Sequence, residues 1–217
     1  MKIGVLGGTG PAGRGLAARL ADVGFDVLAG SRELAKATAT VEQLEERWGE
    51  RVARLTPADN AGACDADVVV LAVNADAALA TARDYADELA GKIVVSMANS
   101  LVKKGNEFHA VLPPHGSIAK EMQALLWRSQ VVTAFHLVPA AEFVNLDQRM
   151  EGDVVACGDD DIARRTLMEI IEAIPDLRAF DGGSLENAVG IETFAAVLLT
   201  INVRHHVRAG LRLSGIE

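Results

Sequence analysis

The chain opens on a short apolar run, Ile3, Val5 and Leu6, and passes through a cluster of glycines into the Ala/Leu/Arg stretch Ala12–Ala21. Too short for a helix and followed by helical composition, the run predicts a strand leading into a helix. The alternation continues. Phe25–Ala29 is short and apolar and ends in Gly30-Ser31-Arg32, while Glu33–Trp48 is charged with apolar residues at Leu34, Val41 and Leu44 and predicts a helix. Val52–Leu55 predicts a short strand and Pro57–Cys64 a helix. Asp67–Val73 is continuously apolar after its first residue, as in a strand buried on both faces of a parallel sheet. Asp76–Leu89 predicts a helix and Lys92–Ser96 a strand. Between Asn99 and Gly116 the regularity lapses, and the Lys-Lys-Gly-Asn and Pro-Pro-His-Gly clusters predict a long surface loop. Beyond it follow a helix over Ser117–Leu126, strands at Gln130–Phe135 and Asp153–Ala156, a helix over Asp160–Ile174 and a strand at Leu177–Phe180. Ser184–Val207 then predicts one long helix, with Gly190 as its weak point.

Strands alternating with helices call for an α/β fold of the Rossmann type, a doubly wound and mostly parallel sheet, here with a small, mainly helical C-terminal part. A division near residue 145 is expected, with 1–145 as the nucleotide-binding domain and 146–217 as the smaller one. At 217 residues and 50% hydrophobic the chain can bury a sizeable core. The net charge of −9 argues against nucleic acid and membrane surfaces as partners. Cys64 and Cys157 lack metal-type spacing and read as buried, reduced thiols. Val68–Val73 and Val197–Ile201 are too short to span a bilayer, so a cytoplasmic location is expected. The run Asp159–Asp161 reads as a helix cap rather than a metal site. Adjacent His205 and His206 point in different directions on a helix and cannot jointly hold one metal.

The chemistry begins at Gly8, Gly10 and Gly13, which fall at G-x-G-x-x-G spacing between the first strand and first helix. That spacing allows a tight turn, close approach of backbone N–H groups to a pyrophosphate, and close helix–strand packing, with the helix dipole favouring the anion. Pro11 suits a first helical turn, where its missing N–H is no loss. About 20 residues on, an NAD-selective site offers an acid to the ribose 2′-hydroxyl. This chain offers Ser31, Arg32 and, one turn later, Lys36, groups suited to a phosphate, so NADP(H) is the expected nucleotide. Glu33 is the one nearby acid that could reach a ribose instead.

With these residues in view, the chain resembles the coenzyme F420-dependent NADP oxidoreductases. The resemblance is carried by Gly7-Gly8-Thr9-Gly10 with Gly13, Gly30-Ser31-Arg32 with Lys36, and Lys92–Ser96. It continues through His136-Leu137-Val138-Pro139-Ala140-Ala141, Val155–Asp161, Asn202, Arg204 and Ala209–Leu213, over essentially the whole length. It implies hydride exchange between NADP(H) and a 5-deazaflavin, coenzyme F420. It further implies that Gly8, Thr9, Gly10, Pro11, Ala12, Gly13, Ser31, Arg32, Lys36, Val73, Asn74, Ala98 and Ala140 bind NADP. By the same resemblance His136, Leu137, Val138, Pro139 and Asn202 hold the deazaflavin, the C-terminal part covers it, and the enzyme is a homodimer. Two departures stand out: Asn74-Ala75-Asp76 where some members carry an aromatic residue, and the composition of the Asn99–Pro114 loop. They leave open a reductase of another small acceptor (an imine, ketone or metal complex) or a non-catalytic NADP(H)-sensing protein.

The residues themselves contain no Ser-His-Asp order, no His-x-x-x-His and no Tyr-x-x-x-Lys; the only tyrosine is Tyr85. Hydride transfer between stacked rings needs none of these, because the cofactors carry the chemistry and the protein sets distance and excludes water. No catalytic residue is therefore assigned. His136 reads equally as an orienting donor to a deazaflavin carbonyl or as a strand-end histidine bonded to backbone. Arg204, Arg208 and Arg212, four apart, would share a face while the helix lasts, either as dipole-complementing cations or as an edge for an anionic tail.

Overall fold

A computed structural model of the chain describes residues 1–216, with Ala140 and Ala141 described by backbone alone. The first half builds β1 (Lys2–Leu6), α1 (Pro11–Asp22), β2 (Asp26–Ser31), α2 (Leu34–Trp48), β3 (Leu55–Asp59), α3 (Asn60–Ala63), β4 (Val68–Leu71), α4 (Ala75–Asp84) and β5 (Ile93–Ser96). A hairpin of β6 (Leu101–Lys104) and β7 (Glu107–Ala110) follows, then α5 (Ile118–Leu125), β8 (Gln130–Thr133), α6 (Ala140–Phe143), β9 (Gly152–Gly158), α7 (Asp161–Glu172), β10 (Leu177–Asp181) and α8 (Ala188–His205). Eight strands form one sheet in the order β10-β9-β8-β5-β4-β1-β2-β3, parallel except where β8 meets β9.

The strands alternate faces with period two, and the sequence fills both faces. Ile3, Val5, Val68 and Val70 face the layer of α1, α2 and α7, whereas Leu6, Val69 and Leu71 face α3, α4 and α5. Gly4 has no side chain to offer because α3 presses against it; a Cβ there would fall 1.9 Å from the Ala63 carbonyl oxygen. Asp160 caps α7 by accepting from the Ile162 and Ala163 N–H groups, and Asp159 accepts from the Leu185 N–H, which accounts for the acidic run.

Three expectations need correcting. The strand expected at 52–55 begins only at Leu55 and runs to Asp59, after a 3-10 turn over Gly49–Val52; only Asn60–Ala63 of the expected helix forms. β3 pairs in parallel with β2 and forms the sheet's edge, where Pro57 is tolerated because its missing N–H interrupts no further ladder. The supposed loop contains the β6–β7 hairpin, with Lys104 paired to Glu107 around a two-residue Gly-Asn turn and Gly105 at φ +60°. That hairpin packs along α8, where Thr200 Oγ1 accepts from the Phe108 N–H.

The division expected near residue 145 falls between α6 and β9, and β9 and β10 extend the main sheet. With the turn before it, Leu185–His205 has the length and composition of a membrane-crossing helix. In this fold α8 lies against the hairpin, α5 and one wall of the cleft described next. His206 closes it in the left-handed conformation.

Candidate active site

The strand order reverses between β1 and β4, with β2 and β3 following on one side and β5 and β8 on the other. Ligands of such sheets bind beyond the carboxyl ends of the strands, where the order reverses. A groove of two arms lies there, joined at Gly10, Pro11, Ala72, Val73 and Asn74.

The first arm, of about 700 Å³, starts at the glycine turn. Gly7 holds φ +82°; the Gly8 N–H donates to the Val5 and Gly30 carbonyls at 3.1 and 2.9 Å, and the Gly10 N–H to the Gly7 carbonyl at 2.9 Å. A Cβ on Gly13 would lie 2.2 Å from the Gly7 carbonyl oxygen, and one on Gly8 would lie 3.0 Å from the Ala29 Cα. Gly8 and Gly13 thus act through packing, behind the groove, while Thr9 and Gly10 line it. Gly10 caps α1 without a side chain, Pro11 occupies its first turn, and no acid stands in that turn. The helix therefore presents its positive end to the groove.

At the far end Ser31, Arg32 and Lys36 line the same arm. Ser31 is buried and its Oγ accepts from the Glu33 N–H at 3.4 Å, which places the turn after β2; Arg32 and Lys36 are exposed. Among the described residues neither cation is paired with an acid. Glu33 also lines this arm. The opposite wall comes from Asn60 and from Asp76, Ala77, Ala80, Thr81 and Asp84 of α4, none of which the sequence reading assigned to the nucleotide, although Asp76 stood in one of its two noted departures. Asn74 stands at the junction and caps α4, its Oδ1 accepting from the Ala77 N–H at 2.9 Å.

The second arm, of about 460 Å³, is mainly apolar. Ala12 begins it, Met97, Ala98 and Asn99 enter after β5, and Phe135 to Pro139 after β8. Ala195, Leu198, Leu199 and Asn202 enter from α8, with Ala209 beyond it and Phe143 behind. All five residues expected at the deazaflavin are thus brought together, although Asn202 lies more than 60 residues from the others. Ala140, expected at the nucleotide, lies outside the residues whose side chains are described. Met97, Phe135, Phe143, Ala195, Leu198, Leu199 and Ala209 were missed, since an apolar wall residue reads in sequence like any core residue.

Polar groups around this arm are largely turned inward. His136 is 7% exposed, with Nε2 against the Thr133 hydroxyl, which itself donates to the Ser96 carbonyl at 3.1 Å. Burial pushes the imidazole down to about 4, opposed by the Met97 carbonyl, so the ring is neutral near pH 7. Asn202 spends its amide on Ala209, accepting from its N–H at 2.7 Å and donating to its carbonyl at 3.2 Å. One turn before Ala195, the buried Glu192 accepts from the Ile118 and Ala119 N–H groups at 2.7 and 3.0 Å and so ties α8 to the start of α5. Burial pushes its carboxyl up to about 7, against the pull of the two amides.

The three arginines do not share a face, because α8 ends at His205. Arg204 pairs with Glu107 of the hairpin, and Arg212 lies 3.8 Å from the buried Asp153. Arg208 lines a small recess that shares Leu137, Val138 and Pro139 with the second arm.

Residues 2–100 match the family described as NADP oxidoreductase, coenzyme F420-dependent. The F420-dependent NADP reductase of Methanocaldococcus jannaschii is 34% identical over 100% of both chains. That of Methanothermobacter thermautotrophicus is 31% identical over 100% of this chain and 96% of its own. Among solved structures, a candidate F420-dependent NADP-reductase from Arthrobacter sp. FB24 superimposes with a TM-score of 0.83, at 24% identity over 99% of each chain, and supports the fold. A full-length likeness at these identities, on a groove with a phosphate-binding turn in one arm and an apolar cleft in the other, makes this chain a member of the coenzyme F420-dependent NADP oxidoreductase family.

Proposed function

We propose that this protein is an oxidoreductase that transfers hydride between NADP(H) and the deazaflavin coenzyme F420 in the two-armed groove. The observation that carries the reading is the meeting of the arms at Gly10, Val73 and Asn74, one leading to Ser31, Arg32 and Lys36 and the other walled by apolar side chains. A dinucleotide fits the first arm: Cβ atoms at Gly8 and Gly13 would close the turn, and α1 begins without a side-chain cap. Thr9 and the first turn of α1 hold the pyrophosphate, while Ser31, Arg32 and Lys36 take the 2′-phosphate. Val73, Asn74, Ala98 and Ala140 flank the nicotinamide half. His136 to Pro139 and Asn202 bound the deazaflavin, with residues 146–217 as its cover.

When bound, the two coenzymes supply the carbons that give and receive the hydride. The chain's own part is to hold them at near-attack separation, roughly 3–3.5 Å, and to keep water out. Leu137, Leu198 and Leu199 exclude water. The neutral His136, fixed by Thr133, adds no charge to the cleft and keeps the following turn in place. No side chain has to gain or lose a proton in this step.

The enzyme works in the cytoplasm as a homodimer. Phe194, Val197 and Ile201, spaced along one side of α8, are 41, 51 and 40% exposed and form an apolar stripe that a second copy can cover.

The test is to mix the protein with NADPH and oxidised deazaflavin and follow loss of the deazaflavin's near-visible absorption. NADPH deuterated on one face should pass its label directly to the deazaflavin. Tight NADPH binding without bleaching would favour a sensor or a reductase of another acceptor.

A further inference from the structure

The two arms must be held in register if two rings are to meet in them, and one helix touches both. The N-terminus of α1, with its cap Gly10 and then Pro11 and Ala12, lines the groove. Farther along, Gly15 and Arg19, one turn apart and on one face, dock the segment that follows β8. Gly15 admits α6 against the helix: a Cβ there would fall 2.6 Å from the Phe143 Cβ and 2.8 Å from the Val144 nitrogen. Arg19 is 5% exposed, and the three hydrogens of its Nε and Nη2 are shared among four backbone carbonyls. Nε reaches Phe143 at 2.9 Å; Nη2 reaches Glu142, Asn145 and Gln148 at 3.1, 2.6 and 2.8 Å. These are carbonyls at and beyond the end of α6; those of Glu142 and Asn145 also accept from the Asn145 and Gln148 N–H groups, and the guanidinium adds a charge-assisted donor to each. Burial alone would expel the charge; the carbonyl fan retains it.

The fan leads to the acceptor arm in two steps. Phe143, fully buried, meets Phe135 edge-on with ring centroids 5.9 Å apart, and both line the cleft. Phe135 holds φ +65°, a left-handed conformation that a bulky residue keeps only when its surroundings enforce it, and His136 to Pro139 follow directly. We propose that Arg19 is a positioning residue: through the carbonyls of 142–148 it fixes the acceptor segment to the helix that carries the phosphate turn, so that α1 sets the separation of the two arms. The inference rests on the hydride-transfer reading above and assigns a residue that touches neither coenzyme. A misplacement of about 1 Å can slow a transfer by on the order of 100-fold, which is the lever such a residue has.

The test compares Arg19→Lys, Arg19→Met and Gly15→Ala with the parent chain in three measurements. Hydrogen exchange of the amides in 135–148, without ligands, should quicken at least about tenfold in Arg19→Met and less in Arg19→Lys. NADPH affinity, read by its fluorescence, should stay within about twofold in all three. The single-turnover rate of deazaflavin reduction should fall by about 10- to 100-fold in Arg19→Met and Gly15→Ala, with partial rescue in Arg19→Lys. Unchanged exchange in 135–148, or nucleotide affinity falling in parallel with the rate, would overturn the proposal. Gly15→Ala keeps the test alive should Arg19→Met fail to fold, because it displaces the same segment without removing a charge. Absence of deazaflavin reduction by the parent chain would sink the hydride-transfer reading, whereas the exchange and affinity measurements would still decide whether Arg19 anchors the segment.

Discussion

The two arms of the groove are built on opposite plans. The nucleotide arm takes its decisive residues from one stretch, Gly7 to Lys36, and offers backbone amides and exposed cations to the ligand. The acceptor arm gathers residues from α1, the ends of β4, β5 and β8, and α8, and its lining is mostly apolar; the Asn202 amide is spent on Ala209, while the buried Asn99 Oδ1 and His136 Nδ1 have no partner among the described residues. Recognition of a phosphate needs charge and close backbone approach, which a local motif can supply. Recognition of a flat ring needs shape and dryness, which only packing can supply.

The contrast can be broken most strongly at Gly13. Gly13→Ala drives a Cβ into the Gly7 carbonyl and should cost on the order of 3 kcal/mol, lost first from NADPH affinity in a calorimetric titration. Intact affinity would mean that the turn shifts freely and that the third glycine is not a packing requirement.

On the acceptor side the sharpest probe is Glu192. Its folded carboxyl titrates near 7 because it is buried, whereas an ordinary glutamate titrates near 4.5. Protonation therefore favours the fold; the contribution is fully present below about pH 4.5 and is lost as pH rises through about 7. The parent chain should lose about 2–3 kcal/mol across that window relative to Glu192→Gln, measured as the difference of their urea midpoints against pH. His136 acts with the opposite sign: its neutral buried form loses stability as pH falls from 6.5 through about 4. A flat difference between parent and variant would show that Glu192 is solvated.

Arg32→Ala ranks next and should weaken NADP binding by about 2 kcal/mol while leaving NAD binding nearly unchanged, because it removes a charge-assisted contact to the 2′-phosphate. Equal losses for both nucleotides in parallel titrations would make Arg32 structural and return the selective role to Glu33. The smallest effect belongs to Arg208 at the edge of the acceptor arm. Arg208→Ala should weaken a tailed deazaflavin by only about 0.2–1 kcal/mol, in a salt-dependent way. A truncated deazaflavin lacking phosphate and glutamate serves as the control, and an equal response from it would place the anionic tail elsewhere.

Where the sequence reading missed, the competing cause can be named. The β6–β7 hairpin carried its own signal, a Gly-Asn turn between short apolar-polar runs, but charged Lys103 and Lys104 masked it; α8 supplies the packing that makes the hairpin persist. The strand β3 exists because β2 offers it an edge, and nothing between Val52 and Asp59 encodes that edge. The three arginines share no helical face because a helix end depends on what caps it: α8 closes at His206, leaving Arg208 and Arg212 beyond it.

What the sequence determined by itself was whatever depends on residues near one another along the chain. The strand–turn–helix at Gly7–Gly13, the turn after β2 that carries Ser31 and Arg32, the helix cap at Asp160, and the alternation that calls for a doubly wound sheet all follow from local sterics, backbone geometry and burial period. Only the tertiary structure decided the acceptor arm. Its wall residues are ordinary apolar side chains, and its fastenings join Arg19 to Gln148, Glu192 to Ile118 and Thr200 to Phe108, across 129, 74 and 92 residues. Such pairs leave no periodic trace in the chain. They form only once the sheet has brought their elements together and burial has made an unpaired charge or amide too costly to leave alone.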